Sequence, residues 1–207
     1  MEKFQKIVLD TSIFVNPDSR VFFGNTPYQA LVNFLDIAKE SKRIKCYTPV
    51  TIYEELMKFI EKEIPPKKML FIEKRPPSSY ESTIPALFVY EIIEQIRLRI
   101  NKGLRVAEKY ARKGIKYQCD NPQDQSEKDK RYLPQPGEEI IKSLREEFRI
   151  ALREGIIDSK EDFDLILLAK ELGAYLATSD NGLITWAHKL GVTCVSAKEL
   201  NALLLQG

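Results

Sequence analysis

The chain has 207 residues, 43% of them hydrophobic and 30% charged, with a formal net charge of only +2. That length holds one ordinary domain carrying a substantial insertion, and the near-neutral total excludes a chain-wide basic coat. No apolar run reaches the roughly 18 residues needed to cross a bilayer, and three cysteines without CxxC spacing exclude a disulfide framework and a zinc site.

The N-terminus passes directly into Lys6-Ile7-Val8-Leu9-Asp10, a short β-branched run ending in an acid, with no signal-peptide pattern. The expected location is therefore the cytoplasm. A loop is expected around Asn16-Pro17-Asp18, and Thr26-Pro27 reads as an N-cap followed by proline at the first helical position. The helix it opens carries Leu31, Phe34, Leu35 and Ala38 at helical spacing; Ile44 to Tyr47 reads as a second strand, and Thr48-Pro49 starts a helix containing Tyr53-Glu54-Glu55-Leu56. Proline and charge from Ile64 to Ser79 mark a boundary. A long helix from about Ala86 to Gly114 follows, then a polar, proline-rich loop from Gln118 to Gly137, then a helix from Glu138 to Glu154. Alternation then returns. Ser159 caps a helix with Asp162 at its third position and a stop at Gly173. Ala174 to Ala177 and Val192 to Val195 are strands, with a helix at Trp186 to Leu190 between them. Both chain ends thus make βαβ-type units, which predicts an α/β fold: a parallel sheet flanked by helices, formed by residues 1–64 and 156–207, with a helical insertion over 65–155.

Ligands of open α/β sheets bind beyond the carboxyl ends of the strands, so Asp10 and Asp180, from opposite ends of the chain, are placed to share one crevice. Asp162, with Asp158 four residues upstream, sits at the start of the preceding helix, and Glu54 near the start of the helix after the second strand. Carboxylates without cysteine or histidine suit hard cations such as Mg²⁺, which activate water and stabilise a departing oxygen in phosphodiester cleavage. The one histidine, His188, argues against a histidine-based triad.

The strings Ile7-Val8-Leu9-Asp10-Thr11-Ser12, Tyr53-Glu54-Glu55-Leu56, Asp162-Phe163-Asp164-Leu165-Ile166-Leu167-Leu168-Ala169 and Leu176-Ala177-Thr178-Ser179-Asp180-Asn181-Gly182 fall in the order found in PIN domains. Over residues 1–64 and 156–207 the chain resembles that superfamily, and with its long central insert it resembles the HARP family of protein-only, RNA-free ribonuclease P enzymes. The resemblance implies an endoribonuclease that removes the 5′ leader of precursor tRNA without an RNA subunit. It places Asp10, Asp158, Asp162 and Asp180 around Mg²⁺ or Mn²⁺, with Glu54 and Asp164 as supporting acids. Asp162 and Asp164 compete for one position, because two residues along a helix point about 200° apart; Asp162 is preferred as sharing a face with Asp158. The alternatives are a toxin-like PIN ribonuclease cutting other RNAs and a non-catalytic PIN-fold RNA-binding protein.

From Arg97 to Lys116 the insert carries eight basic residues against one acid, Glu108. Lys102, Arg105, Lys109, Arg112 and Lys116 recur at three- and four-residue steps, a stripe able to follow a phosphate backbone. Arg145, Arg149 and Arg153 form a second stripe, and the resemblance implies substrate handling for Arg145 and Arg149. Leu87, Val89, Ile92, Ile93, Ile96 and Ile100 give the long helix an apolar face, and the resemblance implies a homo-oligomer built from dimers.

Overall fold

The computed structural model describes residues 4–41, 43–120, 135–153 and 159–206. These divide into two compact units, one formed by 1–85 with 157–207 and the other by 86–156.

In the first unit, β1 (Gln5–Leu9) leads into two single-turn helices, α1 (Ser12–Val15) and α2 (Pro17–Arg20), then α3 (Pro27–Glu40), β2 (Ile44–Thr48), α4 (Val50–Lys58), α5 (Pro66–Met69) and β3 (Ile72–Lys74). After the second unit, α6 (Ala86–Asp120) and α7 (Gln135–Arg153), the chain returns as α8 (Lys160–Leu172), β4 (Tyr175–Ala177), α9 (Asn181–Lys189), β5 (Cys194–Val195) and α10 (Ala197–Gln206). The five strands form one all-parallel sheet in the order β3-β2-β1-β4-β5. Strand order reverses beside β1: its neighbours are β2 on one side and β4 on the other, which opens a crevice at their carboxyl ends.

Ile7, Leu9, Leu176 and Ala177 are buried because both sheet faces carry helices, which is why the strands read as continuous apolar runs. In the core Phe14 and Phe23 each meet Phe34 edge-on, with ring centroids 5.2 Å apart for Phe14–Phe34 and 5.7 Å for Phe23–Phe34. Caps fall where the sequence put them. The Thr26 side chain accepts from the Gln29 N–H, the Ser159 side chain from the Asp162 N–H, and Gly173 ends α8 in the left-handed conformation (φ 59°).

Several expectations are corrected. The segment around Asn16-Pro17-Asp18 is two helical turns rather than a loop, because the Asn16 side chain caps the Asp18 N–H at 3.0 Å and Pro17 takes the first helical position. Residues 65–85 are not part of the insert: β3 hydrogen-bonds to β2, and Glu171 of α8 accepts from Arg75 and from the Ser78 N–H. Three residues between proline clusters give no alternation to read, so β3 left no signal. Helix α6 runs to Asp120 and α7 begins at Gln135, beyond the limits read from composition; the rest of the expected loop lies outside the described residues. Helix α9 starts at Asn181, capped by Asp180, and α10 was not foreseen.

In the second unit α6 and α7 lie side by side and antiparallel, since Lys109 meets Glu147 while Arg99 meets the Leu152 carbonyl. At 35 residues α6 is about 50 Å long. Gly103 permits the close approach: a Cβ there would stand 2.9 Å from the Phe148 ring. Among the described residues no helix is long and apolar enough to cross a membrane.

Candidate active site at the carboxyl edge of the sheet

Asp10 follows β1 directly and is 6% exposed. Its backbone N–H donates to the Ala177 carbonyl at 3.0 Å, so the main chains of β1 and β4 stay paired up to the acid. Its Oδ2 accepts from Ser12 Oγ at 2.5 Å and from Thr178 Oγ1 at 2.6 Å, and its Oδ1 lies 3.3 Å from Thr11 Oγ1. A carboxylate out of water needs such donors. Thr178 Oγ1 in turn accepts from the Asp180 N–H at 3.1 Å, and Ser12 Oγ accepts from the Ser179 N–H at 2.9 Å. Two hydroxyls, one at the start of α1 and one just after β4, thus link Asp10 to the turn that presents Asp180.

Asp180 is exposed and acts as the N-cap of α9, its Oδ1 accepting from the Leu183 N–H at 2.8 Å. The second carboxylate oxygen is not engaged by that cap, and a Cβ at Gly182 would lie 3.0 Å from Oδ1. Glycine keeps that side of the carboxylate clear. The helix N-terminus adds a partial positive charge that favours an anion here.

Glu54 and Asp162 share a second hollow of about 570 Å³, lined also by Thr51, Glu55, Lys58, Ser159 and Glu161. Asp164 does not line it. It is half-buried, and burial, with the nearby charge of Glu161, raises its carboxyl above the ordinary aspartate range. Asp158 lies outside the described residues.

The donors at this edge are carboxylates and hydroxyls, an oxygen set that matches a hard divalent cation. Among the described residues no three acidic, histidine or cysteine side chains gather closely enough to hold an ion. The chemistry still fits, since Mg²⁺ is commonly held by one or two carboxylates with water and substrate phosphate completing its shell. Sequence reasoning missed Ser12, Thr178 and Gly182 as members of the site. Their signal was present in the Asp10-Thr11-Ser12 and Thr178-Ser179-Asp180-Asn181-Gly182 strings, in which hydroxyls and a glycine flank each acid.

In the second unit Arg105, Arg112 and Lys116 are exposed on α6. Lys109 is not free: its ammonium lies 2.7 Å from Glu147 of α7, which also accepts from the Tyr110 hydroxyl at 2.9 Å. These two donors, Lys109 first, hold the Glu147 carboxyl below its ordinary range. Arg99, counted with the basic residues, is 7% exposed and donates to the Leu152 and Gln95 carbonyls, so it locks the hairpin. Arg145 and Arg149 are exposed and, with Glu138, Ile141, Lys142 and Glu146, line a hollow of about 430 Å³ on α7. Neither is in a salt bridge among the described residues.

A parallel sheet with acids at its switch point defines a class. Residues 6–206 match the family model described as PINc domain ribonuclease. The chain is 47% identical over 204 residues to the RNA-free ribonuclease P of Thermodesulfovibrio yellowstonii, which covers 98% of this chain and 95% of that protein. It is 46% identical over 200 residues to the RNA-free ribonuclease P of Pyrococcus furiosus (96% and 92% covered) and 37% identical over 205 residues to that of Halorhodospira halophila (97% and 89%). The chain belongs to the PINc-domain ribonuclease family, in the branch of the RNA-free ribonuclease P proteins.

Proposed function

We propose that this protein is an endoribonuclease that removes the 5′ leader from precursor tRNA in the cytoplasm, without an RNA subunit. The observation that carries the reading is the linkage of Asp10 to the Asp180 turn through Ser12 and Thr178, at the switch point of a chain related end to end to RNA-free ribonuclease P proteins.

The reaction adds water across the phosphodiester between leader and tRNA, leaving a 5′-phosphate on the tRNA and a 3′-hydroxyl on the leader. Asp10, Asp158, Asp162 and Asp180 would hold Mg²⁺ or Mn²⁺, with Glu54 and Asp164 as supporting acids. Asp162, which lines the hollow with Glu54, is preferred over Asp164 for the helix position. A bound divalent cation supplies a lowered water pKa and charge stabilisation for the departing oxygen. Ser12 and Thr178 orient Asp10 through their hydroxyls, and the α9 cap fixes Asp180. Arg105, Arg112, Lys116, Arg145 and Arg149 dock the tRNA body through its phosphates; Lys109 serves the hairpin through Glu147. Leu87, Val89, Ile93, Ile96 and Ile100 are 44–68% exposed in the single chain, which supports a homo-oligomer built from dimers that covers them.

The test is incubation of the purified protein with 5′-labelled precursor tRNA and Mg²⁺. The expected result is one cut at the mature 5′ end, lost in Asp10→Asn. A leader left intact at high enzyme concentration overturns the reading.

A further inference from the structure

The hollow that joins Glu54 to Asp162 contains one cation. Thr51, Glu54, Glu55 and Lys58 are spaced three, one and three residues apart and so form one stripe along α4. Across the hollow stand Ser159, Glu161 and Asp162 at the start of α8. Among the described residues that line the hollow, four are acids and one, Lys58, is a base. RNA laid over this rim brings phosphates into a negative field, and a divalent ion at the acids offsets that repulsion only near the cut. A neighbouring phosphate needs its own counter-charge.

Lys58 is placed for this and is not used otherwise. It is exposed, and among the described residues it has no salt-bridge partner, although Glu54 and Glu55 precede it by four and three residues. Three other lysines of this unit are engaged: Lys62 lies over the Tyr28 ring at 5.6 Å, Lys74 over Tyr53 at 4.4 Å, and Lys68 is 2.6 Å from Asp36; Lys160 is exposed beside Ser159 but does not line the hollow. We propose that Lys58 is a substrate-binding residue that grips a phosphate of the RNA strand next to the scissile one. This rests on the ribonuclease reading above. An alternative duty, complementing the carboxyl end of the α4 dipole, predicts a change in thermal midpoint and none in salt dependence.

The experiment measures binding of fluorescently labelled precursor tRNA to the full chain, with EDTA present so that no cleavage occurs, between 50 and 200 mM KCl. Wild type, Lys58→Gln, Lys58→Arg and Lys198→Gln on α10 are compared. Loss of one phosphate contact lowers the slope of log affinity against log salt by about 0.7–0.9 and weakens binding about five- to eightfold at 0.1 M salt. That is the result expected for Lys58→Gln, with Lys58→Arg and Lys198→Gln at the wild-type slope. A Lys58→Gln slope equal to wild type overturns the proposal, as does a Lys58→Arg protein that loses as much as Lys58→Gln. If wild type cleaves precursor tRNA with Mg²⁺ while Lys58→Gln keeps its slope, the Lys58 assignment falls alone. If wild type neither binds nor cleaves, the functional reading falls and takes Lys58 with it.

Discussion

Thr178→Val is the most informative single change, because it preserves shape and removes one hydroxyl. Thr178 is 1% exposed, and its Oγ1 both donates to Asp10 Oδ2 at 2.6 Å and accepts from the Asp180 N–H at 3.1 Å. A hydrogen bond to a carboxylate contributes about 1.5–3 kcal/mol. The Asp180 N–H adds little, since that turn is exposed and water replaces the lost acceptor. We expect a loss of about 2–3 kcal/mol, or a fall of roughly 4–12 °C in Tm for a chain of this size. Partners that orient a metal-holding side chain typically change affinity or activity about 10–100-fold. Cleavage of precursor tRNA titrated with Mg²⁺ should therefore need at least tenfold more Mg²⁺ in Thr178→Val. Thr178→Ser keeps the hydroxyl and loses one buried methyl, which costs about 0.8 kcal/mol, and should retain the wild-type Mg²⁺ requirement. A Thr178→Val protein with wild-type Tm and wild-type Mg²⁺ half-saturation would refute the argument that this hydroxyl organises Asp10.

Gly103→Val should part α6 from α7, because even a Cβ meets the Phe148 ring at 2.9 Å; we expect loss of tRNA binding in a gel-shift assay while the first unit keeps its near-ultraviolet signal. The Glu171 carboxyl is held below its ordinary range by the Ser78 N–H and by Arg75. A depressed folded-state pKa stabilises above the unfolded value and is lost as pH falls through the folded one. Amide exchange at Ser78 should therefore accelerate in acid below the usual carboxylate range, and Glu171→Gln should remove that dependence. Burial pushes the Cys46 thiol up to about 12 and that of Cys194 to about 11, whereas Cys119 is exposed. A thiol reagent at pH 8 should modify Cys119 in the native protein and reach Cys46 only on unfolding, as peptide mapping will report.

Much of this was legible because short-range physics wrote it. Lys6 to Asp10 and Ala174 to Ala177 read as strands since a sheet covered on both faces demands continuous apolar residues, and β1 and β4 are the two strands beside the crevice. Thr26, Ser159 and Gly173 read as caps because capping is decided within four residues. What escaped depends on partners distant in sequence. Strand β3 exists because β2 offers an edge to residues that have no pattern of their own. Lys109 belongs by spacing to the basic stripe, yet Glu147, 38 positions later, takes it. Arg99 looked like another surface cation until the helix pairing buried it. Ser12 and Thr178 were assigned no role, since no local rule says that two hydroxyls 166 positions apart converge on one carboxylate oxygen.

The place of the insertion follows from the same topology. Winding from β1 through β2 to β3 proceeds towards one edge of the sheet, and the next strand, β4, lies on the other side of β1. The connection from β3 to β4 must therefore cross back over the sheet, and it is the one crossover whose length no neighbouring strand pair fixes. Helices α6 and α7 occupy that connection, and α8 completes it before β4 begins. Extra chain inserted there disturbs no strand register, so the β1–β4 pairing that brings Asp10 to Thr178 is compatible with an insert of any length. The returning end of the same connection carries Ser159 and Asp162 at the first turn of α8. A basic hairpin and an acid of the hollow are thus joined through one connection by necessity of the fold, which lets the sheet acquire a helical insertion without rebuilding its strand pairing.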